Sequence, residues 1–342
     1  MSTPVSLFDF ELPKELIALY PASMRDKCRL MVLDNTHKQE LIEHKVFSDL
    51  IDLIDRDSFL VINNTKVRNA RLSASKVTGG KSEIFVTNVL SHNHFEGLVK
   101  GRFKEGDSIL SSGYKFKLIS KKEDGVWLIE SEEDIENIMD EVGHVPLPPY
   151  ISRADTEKDK VDYQTVYAKE IGSSAAPTAG LHFTKELIEN LKNHGVEVLE
   201  LTLDVGLGTF RPVKSEFMED HVMHSERYEI SDDVASKINS LKSQGKKLIA
   251  VGSTSVRTLE TAANENGEII PGIDHSKIFI TPGYKFKVVD NMITNFHLPK
   301  STLLAMVAAL GGYDYIMKAY KEAVQNGYHF FSYGDAMFIK NK

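Results

Sequence analysis

The sequence holds a single cysteine, Cys28, so no disulfide can close within the chain and no Cys-x-x-Cys zinc or redox motif can form. Such poverty fits a reducing compartment. Long hydrophobic runs are also missing. The longest, Leu303 to Leu310, spans eight residues, against about 20 for a helix that crosses a bilayer. The opening MSTPVSLFDFELPKELIALYPAS lacks the basic start and apolar stretch of a secretory signal. A cytoplasmic protein without membrane attachment is expected. Low-complexity tracts and internal repeats are absent. What remains is an ordinary globular balance, 42% apolar and 26% charged over 342 residues, enough for about two domains at ~150 residues each.

Intact nucleotide fingerprints are lacking too. Ser75 to Ser82, SKVTGGKS, ends like a phosphate loop, but Ser75 stands where the first glycine belongs and the pattern around it is a hairpin. Gly206-Leu-Gly208 has Arg211 in place of the third glycine of a dinucleotide motif. His221-Val-Met-His224 would put two imidazoles on one helical face, but its spacing fixes no third ligand. No metal site is expected.

Charge is uneven. The total is −8, which argues against a nucleic-acid binder taken whole. From Ile62 to Lys122 there are twelve basic and four acidic residues, a net of +8 that leaves −16 elsewhere. A basic segment inside an acidic chain suggests a polyanionic partner. Lysines that merely guard strand edges would look similar.

Arg71 to Leu128 reads as short strands separated by Gly and Asp turn signals, the pattern of a small sheet or barrel. Val145-Pro-Leu-Pro-Pro-Tyr150 then bars a helix and marks a boundary. Beyond Tyr163, helices alternate with strands. Thr184 caps KELIENLKNH, which Gly195 stops; Ser231 caps DDVASKINSLKSQ, which Gly245 stops; KKLIAVG is a buried strand. The expectation is an α/β main domain, a mixed sheet with flanking helices formed by residues 1–65 and 150–342. A small all-β, barrel-like, basic domain of residues 66–149 is inserted into it.

Four loops are richer in polar, glycine and proline residues than packing explains. Ser173 to Thr184 carries His182 ahead of a helix start, and helix starts offer free N–H groups to anions. Asp204 to Pro212 puts Arg211 at a strand end. Ala250 to Arg257 reads as strand, hydroxyl-rich turn and helix start, where a carboxylate or phosphate would fit. Thr294 to Thr302 brings His297 to a helix capped by Ser301. Taken singly, each has a cap-and-turn explanation; four in one domain favour a site.

The wording of these segments, SSAAPTAGLHFT, DVGLGTFRPV, HSERYEI, AVGSTSVRTLE, PGYKFKVVD, TNFHLPKSTLL and FFSYGDAM, resembles the S-adenosylmethionine:tRNA ribosyltransferase-isomerase family of queuosine biosynthesis. The resemblance runs from about Phe8 to Ile339. Arg25-Asp26 with Arg29-Leu30, and Asn63 to Leu72, are weaker echoes. Asn64, Asn69, Asp204 and Arg227 depart from the residues common in that family, whereas Lys66 keeps its Arg or Lys, so Asn64 and Asp204 are poor candidates for an indispensable base. The resemblance implies an α/β domain with an inserted β-barrel. It also implies two substrates, S-adenosylmethionine, consumed for its ribosyl part, and a tRNA with 7-aminomethyl-7-deazaguanine at the wobble position. The products are epoxyqueuosine in tRNA, adenine and methionine.

That chemistry needs a base for a C5′ proton beside the sulfonium, support for departing adenine, and a grip on the amino-acid carboxylate. It requires no metal or redox cofactor. Histidine suits proton transfer near neutrality, so His182, His221, His224 and His297 are catalytic candidates. Arg211 and Arg257 could hold the carboxylate, with Ser253 and Thr254 beside them. Phe183 or Tyr284 could lie against adenine or the sulfonium, and Asp335 could bind ribose hydroxyls. Lys66, Arg68, Arg71, Lys100, Arg102 and Lys104 are expected to face tRNA phosphates, and the chain is expected to work as a monomer. A methyltransferase and a catalytically silent RNA-binding protein are the competing readings. The first is disfavoured by the missing glycine fingerprint, the second by the density of polar loops.

Overall fold

The computed structural model describes residues 3–36, 40–123, 125–206, 213 and 215–341. Its frame is a nine-stranded mixed sheet. The N-terminal part contributes β1 (Arg29–Asp34), β2 (Leu41–Val46) and β3 (Ser58–Asn63), and a short β4 (Thr65–Val67) follows. After the barrel come the short helix α3 (Asp159–Asp162) and then β11 (Glu170–Ser173), β12 (Glu197–Leu203), β13 (Glu226–Ile230), β14 (Lys247–Val251), β15 (Gly272–Ser276), β16 (Asn291–Asn295) and β17 (Ala336–Lys340). The order across the sheet is β15-β13-β12-β3-β14-β16-β17-β1-β2, with β4 and β11 forming a separate parallel pair.

Both faces of this sheet are covered, and the strand period decides which residue goes where. Along β3, Phe59 and Val61 enter one core and Leu60 and Ile62 the other; along β17, Met337 and Ile339 oppose Ala336 and Phe338. On the first face lie α5 (Asp232–Ser243), α6 (Gly252–Ala262), α7 (Thr302–Gly311) and α8 (Tyr313–Gln325). On the second lie the short α1 (Leu50–Leu53) and α4 (Lys185–Asn193). The caps form as their residue types dictate. Thr184 Oγ1 accepts the Leu187 N–H at 3.0 Å, Ser231 Oγ that of Val234 at 3.4 Å, and Ser301 Oγ that of Leu304 at 3.2 Å. Gly195 and Gly245, with φ of +94° and +80°, end α4 and α5.

Strands β5 (Arg71–Lys76), β6 (Lys81–Ser91), β7 (His94–Val99), β8 (Ser108–Ser111), β9 (Tyr114–Lys121) and β10 (Trp127–Ser131) form a closed antiparallel barrel. Its interior is filled by Leu72, Ile84, Phe95, Phe116, Leu118 and Ile129, and α2 (Ile135–Val142) packs Ile135, Ile138 and Met139 onto it. The mixed α/β sheet with an inserted barrel is thus the architecture the alternation of elements implied. SKVTGGKS is the hairpin between β5 and β6, with Gly79 at φ +95°.

Two expectations are corrected. The segment Ala250 to Arg257 contains no turn: β14 runs directly into α6 through Gly252, whose φ of +86° makes the change of direction, so the hydroxyls belong to the first turns of the helix. The basic segment is also an effect of where it was cut. Nine carboxylates follow between Glu123 and Glu141, so residues 66–149 carry twelve basic and thirteen acidic side chains.

Candidate active site

Strands β12, β3, β14 and β16 are mutually parallel, so their carboxyl ends lie along one edge. The starts of the oppositely directed β17 and of β1 lie along the same edge. Ligands of open α/β sheets bind at such an edge. There a cavity takes wall residues from all four polar loops: Ala176 to Ala179, Val205, Gly252 to Thr254, and Thr294 to Ser301, with Phe331 and Ser332 closing it. It holds about 50 Å³ and shares the Val205 wall with a wide cleft of about 730 Å³ between the sheet and the barrel. Through Leu303 it adjoins a smaller recess lined by His221, His224, Arg257 and Thr302.

The first turns of α6 and α7 both face this space, so two sets of helix-start N–H groups converge on it. Thr254 Oγ1 is buried there with no hydrogen-bond partner. Three residues further along α6, Arg257 is 2% exposed and ion-paired with Glu226, while its Nε and Nη2 are buried without partners. Native proteins rarely leave buried donors unsatisfied. A guanidinium with its charge balanced and two N–H groups uncommitted is suited to a carboxylate or phosphate oxygen.

The four histidines separate into two kinds. His182 is buried; Nδ1 lies 3.1 Å from Cys28 Sγ and Nε2 lies 2.9 Å from Asn295 Nδ2. Asn295 Nδ2 also donates to the Phe331 carbonyl at 3.1 Å, and its Oδ1 accepts from Thr178 at 3.1 Å. That orientation makes His182 Nε2 an acceptor, so Nδ1 carries the proton and donates to the thiol. Burial, reinforced by the Arg25 charge, pushes the imidazole down to about 4. His297 lines the cavity, and burial pushes it down to about 3; its Nε2 meets Thr294 Oγ1 at 2.9 Å. Both rings are therefore neutral at pH 7. His221 and His224 lie instead on a non-helical stretch, not on one helical face, half-buried and exposed respectively. Burial and the neighbouring His224 lower His221. Among the described residues no cluster of three or more His, Cys, Asp or Glu has metal-binding geometry.

Other candidates go elsewhere. Phe183 is sealed in the second core against Phe47, ring centroids 5.0 Å apart, and touches no cavity wall. Tyr284 gives its hydroxyl to Glu260 at 3.0 Å. Asp335 accepts the backbone N–H of Arg29 at 2.8 Å and of His329 at 2.7 Å, so both its oxygens serve the strand starts. Ser253 is at the cavity, and Arg211 lies outside the described residues. Of the basic set, Arg68 pairs with Glu136 at 2.9 Å and Arg71 binds the Leu147 carbonyl at 3.2 Å. Lys66 is exposed on β4, and Lys100, Arg102 and Lys104 are exposed in the loop between β7 and β8.

Cys28, Glu226 and Asn295 were missed as site residues. Asn295 carried a signal: it is an amide at the end of a fully buried strand, the kind of group that must find partners. Glu226 had one in the HSERYEI wording. Cys28 had none, because its partner is 154 residues away.

An α/β sheet with an anion-ready cavity at its strand ends and an inserted barrel defines a class of two-part ligand-binding enzyme. The comparisons name it. The family described as queuosine biosynthesis protein matches residues 5–339. An S-adenosylmethionine:tRNA ribosyltransferase-isomerase of Desulforamulus reducens is 47% identical, covering 98% of this chain and 99% of its own. Another, from Francisella philomiragia, is 48% identical over 97% and 98%. The crystal structure of an S-adenosylmethionine tRNA ribosyltransferase from Thermotoga maritima is 35% identical with a TM-score of 0.56, covering 98% of this chain and all of that one. The chain belongs to this family of transferases. No described helix is long and apolar enough to cross a membrane.

Proposed function

We propose that the chain transfers and isomerises the ribosyl part of S-adenosylmethionine onto 7-aminomethyl-7-deazaguanine at the wobble position of a tRNA, leaving epoxyqueuosine in the tRNA and releasing adenine and methionine. The relatives' names support the substrate pair. The observation that carries the reading is the convergence of all four polar loops on one cavity, beside a buried arginine with two uncommitted N–H groups.

A base takes a C5′ proton beside the positive sulfur. The C5′ carbanion forms a double bond to C4′ as the C4′–O bond breaks, giving the vinyl sulfonium; the released ring oxygen becomes the C1′ aldehyde as the C1′–N bond breaks, and adenine leaves with that bonding pair and takes up a proton. The neutral amine of the deazaguanine adds to the vinyl sulfonium. The carbanion beside sulfur closes on the aldehyde carbon, and the resulting alkoxide displaces methionine as the epoxide forms. Every step is a proton transfer or a heterolytic C–N, C–C, C–O or C–S event. Neither metal nor redox cofactor enters, and S-adenosylmethionine is a consumed substrate. A tRNA substrate fits a cytoplasmic enzyme.

In this reading Arg257 Nε and Nη2 hold the methionine carboxylate, with the Thr254 hydroxyl and the α6 start beside it. His221 and His224, in the same recess as Arg257, supply the base, since the two deeply buried histidines resist protonation. His297 and Ser253 line the space for the nucleoside. Arg211 is a second carboxylate candidate. The test is mass spectrometry of the products formed from the protein, S-adenosylmethionine and tRNA carrying the deazaguanine. Adenine and methionine in equal amounts with an epoxide-bearing tRNA are expected. S-adenosylhomocysteine would identify a methyltransferase and end this reading.

A further inference from the structure

The barrel is nearly neutral as a whole, but its charge is sorted along its axis. In an antiparallel barrel the turns alternate between two ends. The turns β5–β6, β7–β8 and β9–β10 fall at one end; β6–β7, β8–β9 and the chain entry and exit fall at the other, where Arg71 pairs with His144. The entry end carries Glu132, Glu133, Asp134, Glu136, Asp140 and Glu141. Two of its basic groups face these acids, Arg68 paired with Glu136 at 2.9 Å and Lys115 with Glu132 at 3.9 Å. The free end carries seven basic residues between 76 and 81, 100 and 107, and 121 and 122. Lys81, Lys100, Arg102 and Lys104 are exposed there, and none has a carboxylate partner among the described residues. Lys76 gives its ammonium to the Arg102 carbonyl at 2.9 Å and lies 4.7 Å from the centroid of Phe103, tying the two turns into one rim. Three acids, Glu105, Asp107 and Glu123, are exposed at this end as well, and two of them are engaged by the turns' own backbone: Asp107 accepts the Lys104 N–H at 2.8 Å and Glu105 the Lys121 N–H at 3.2 Å.

The cleft between sheet and barrel has the opposite character. Among the described residues, Glu96, Glu170, Asp204, Glu226 and Glu229 line it against Arg68 and Arg227. A phosphate backbone entering that cleft meets carboxylates, so the electrostatic part of RNA affinity has to come from another surface. We propose that the free rim of the barrel, formed by Lys76, Lys81, Lys100, Arg102 and Lys104, binds phosphates of the substrate's RNA stem, away from the reacting base. This rests on the reading of tRNA as substrate. It removes Arg68 and Arg71 from the expected contact surface.

The experiment compares wild type with a variant carrying Lys81→Ser, Lys100→Ser, Arg102→Ser and Lys104→Ser. A control carries Lys185→Ser, Lys192→Ser, Lys318→Ser and Lys321→Ser on α4 and α8. Affinity for tRNA bearing the deazaguanine is measured over a range of salt. At about 0.9 for each of the four phosphate contacts removed, the rim variant is expected to lower the slope of log affinity against log salt by about 3.6. Its KM for tRNA should rise at least tenfold, with kcat at saturating tRNA unchanged and the control near wild type. An unchanged slope in the rim variant, or an equal fall in the control, overturns the rim. Wild-type protein that forms no tRNA-dependent adenine overturns the underlying reading instead.

Discussion

The Cys28 thiol and the His182 ring meet at 3.1 Å across the starts of β1 and α4, and the thiol is the acceptor for the ring's only N–H. The opposite nitrogen accepts from Asn295, a wall of the cavity. The proton is thus fixed on Nδ1, and on the proposed reading His182 acts as a positioning residue that holds the amide facing the nucleoside. Cys28→Ala leaves that N–H buried without an acceptor, which costs about 1–3 kcal/mol. Cys28→Ser keeps an oxygen in reach and should retain most of the stability. Denaturant midpoints of the two variants check this; equal losses would show that the thiol contributes only packing.

The same burial makes stability depend on pH. His182 and His297 titrate at about 4 and about 3 in the folded chain but near 6.5 when unfolded. Between those values the unfolded chain binds more protons, so stability is complete above pH ~6.5 and declines as pH falls toward 4. With both rings neutral in the fold, the slope should approach 2.7 kcal/mol per pH unit, about 1.36 for each proton. His297→Gln should roughly halve it. Denaturant midpoints between pH 6.5 and 5, above most carboxylate titration, give the reading, and a flat profile would mean that one of the rings is reached by water.

Arg257 and Glu226 separate binding from folding. Arg257→Lys keeps the charge opposite Glu226 but removes the two uncommitted N–H groups. It should raise the KM for S-adenosylmethionine at least tenfold and leave the thermal midpoint near wild type. Glu226→Ala instead strands a buried guanidinium, at a cost of about 3–5 kcal/mol. Steady-state kinetics beside thermal melts distinguish the two. An Arg257→Lys enzyme with unchanged KM would move the carboxylate site elsewhere.

Much of this was legible in the chain, and the part that was not has one cause. Thr184, Ser231 and Ser301 announce helices because a cap acts over three residues, and KKLIAVG announces a strand because burial acts along it. The site depends on pairs that no local pattern couples: Cys28 with His182, Glu226 with Arg257, Asn295 with Phe331. Phe183 beside His182 looked like a stacking residue, but its ring is sealed in the second core against Phe47, which the His182 ring also meets. The charge of the barrel misled for a related reason. Its acids follow its bases in sequence and return to the entry end only when the barrel closes.

Tyr284 illustrates how a plausible aromatic is committed elsewhere. Glu260, 2% exposed on α6, accepts its hydroxyl at 3.0 Å and the backbone N–H groups of Lys287, Val288 and Val289 at 2.8 to 3.2 Å. One carboxylate thus anchors the segment before β16. Glu260→Ala should lower stability by several kcal/mol, since four donors lose their acceptor at about 1 kcal/mol or more each. Tyr284→Phe should cost about 1 kcal/mol and keep kcat/KM within twofold. A large kinetic loss in Tyr284→Phe at unchanged stability would return the hydroxyl to the substrate.

Asp335 makes the sharper distinction between holding the fold and holding ribose. Its two oxygens join the first residue of β1 to the segment ahead of β17, through the N–H groups of Arg29 and His329. Burial raises its carboxyl above the usual range, while those two N–H groups oppose the shift. Arg29 in turn lies over the Tyr328 ring, 3.6 Å from its centroid, so the carboxylate fixes a strand start that packs into the core. Asp335→Asn keeps the shape but sets an amide N–H against one of the two backbone donors. It should cost about 2–3 kcal/mol in stability while leaving the KM for S-adenosylmethionine within twofold. Denaturation and initial rates on one preparation decide the matter: a tenfold rise in KM with wild-type stability would mean that this carboxylate reads the sugar after all.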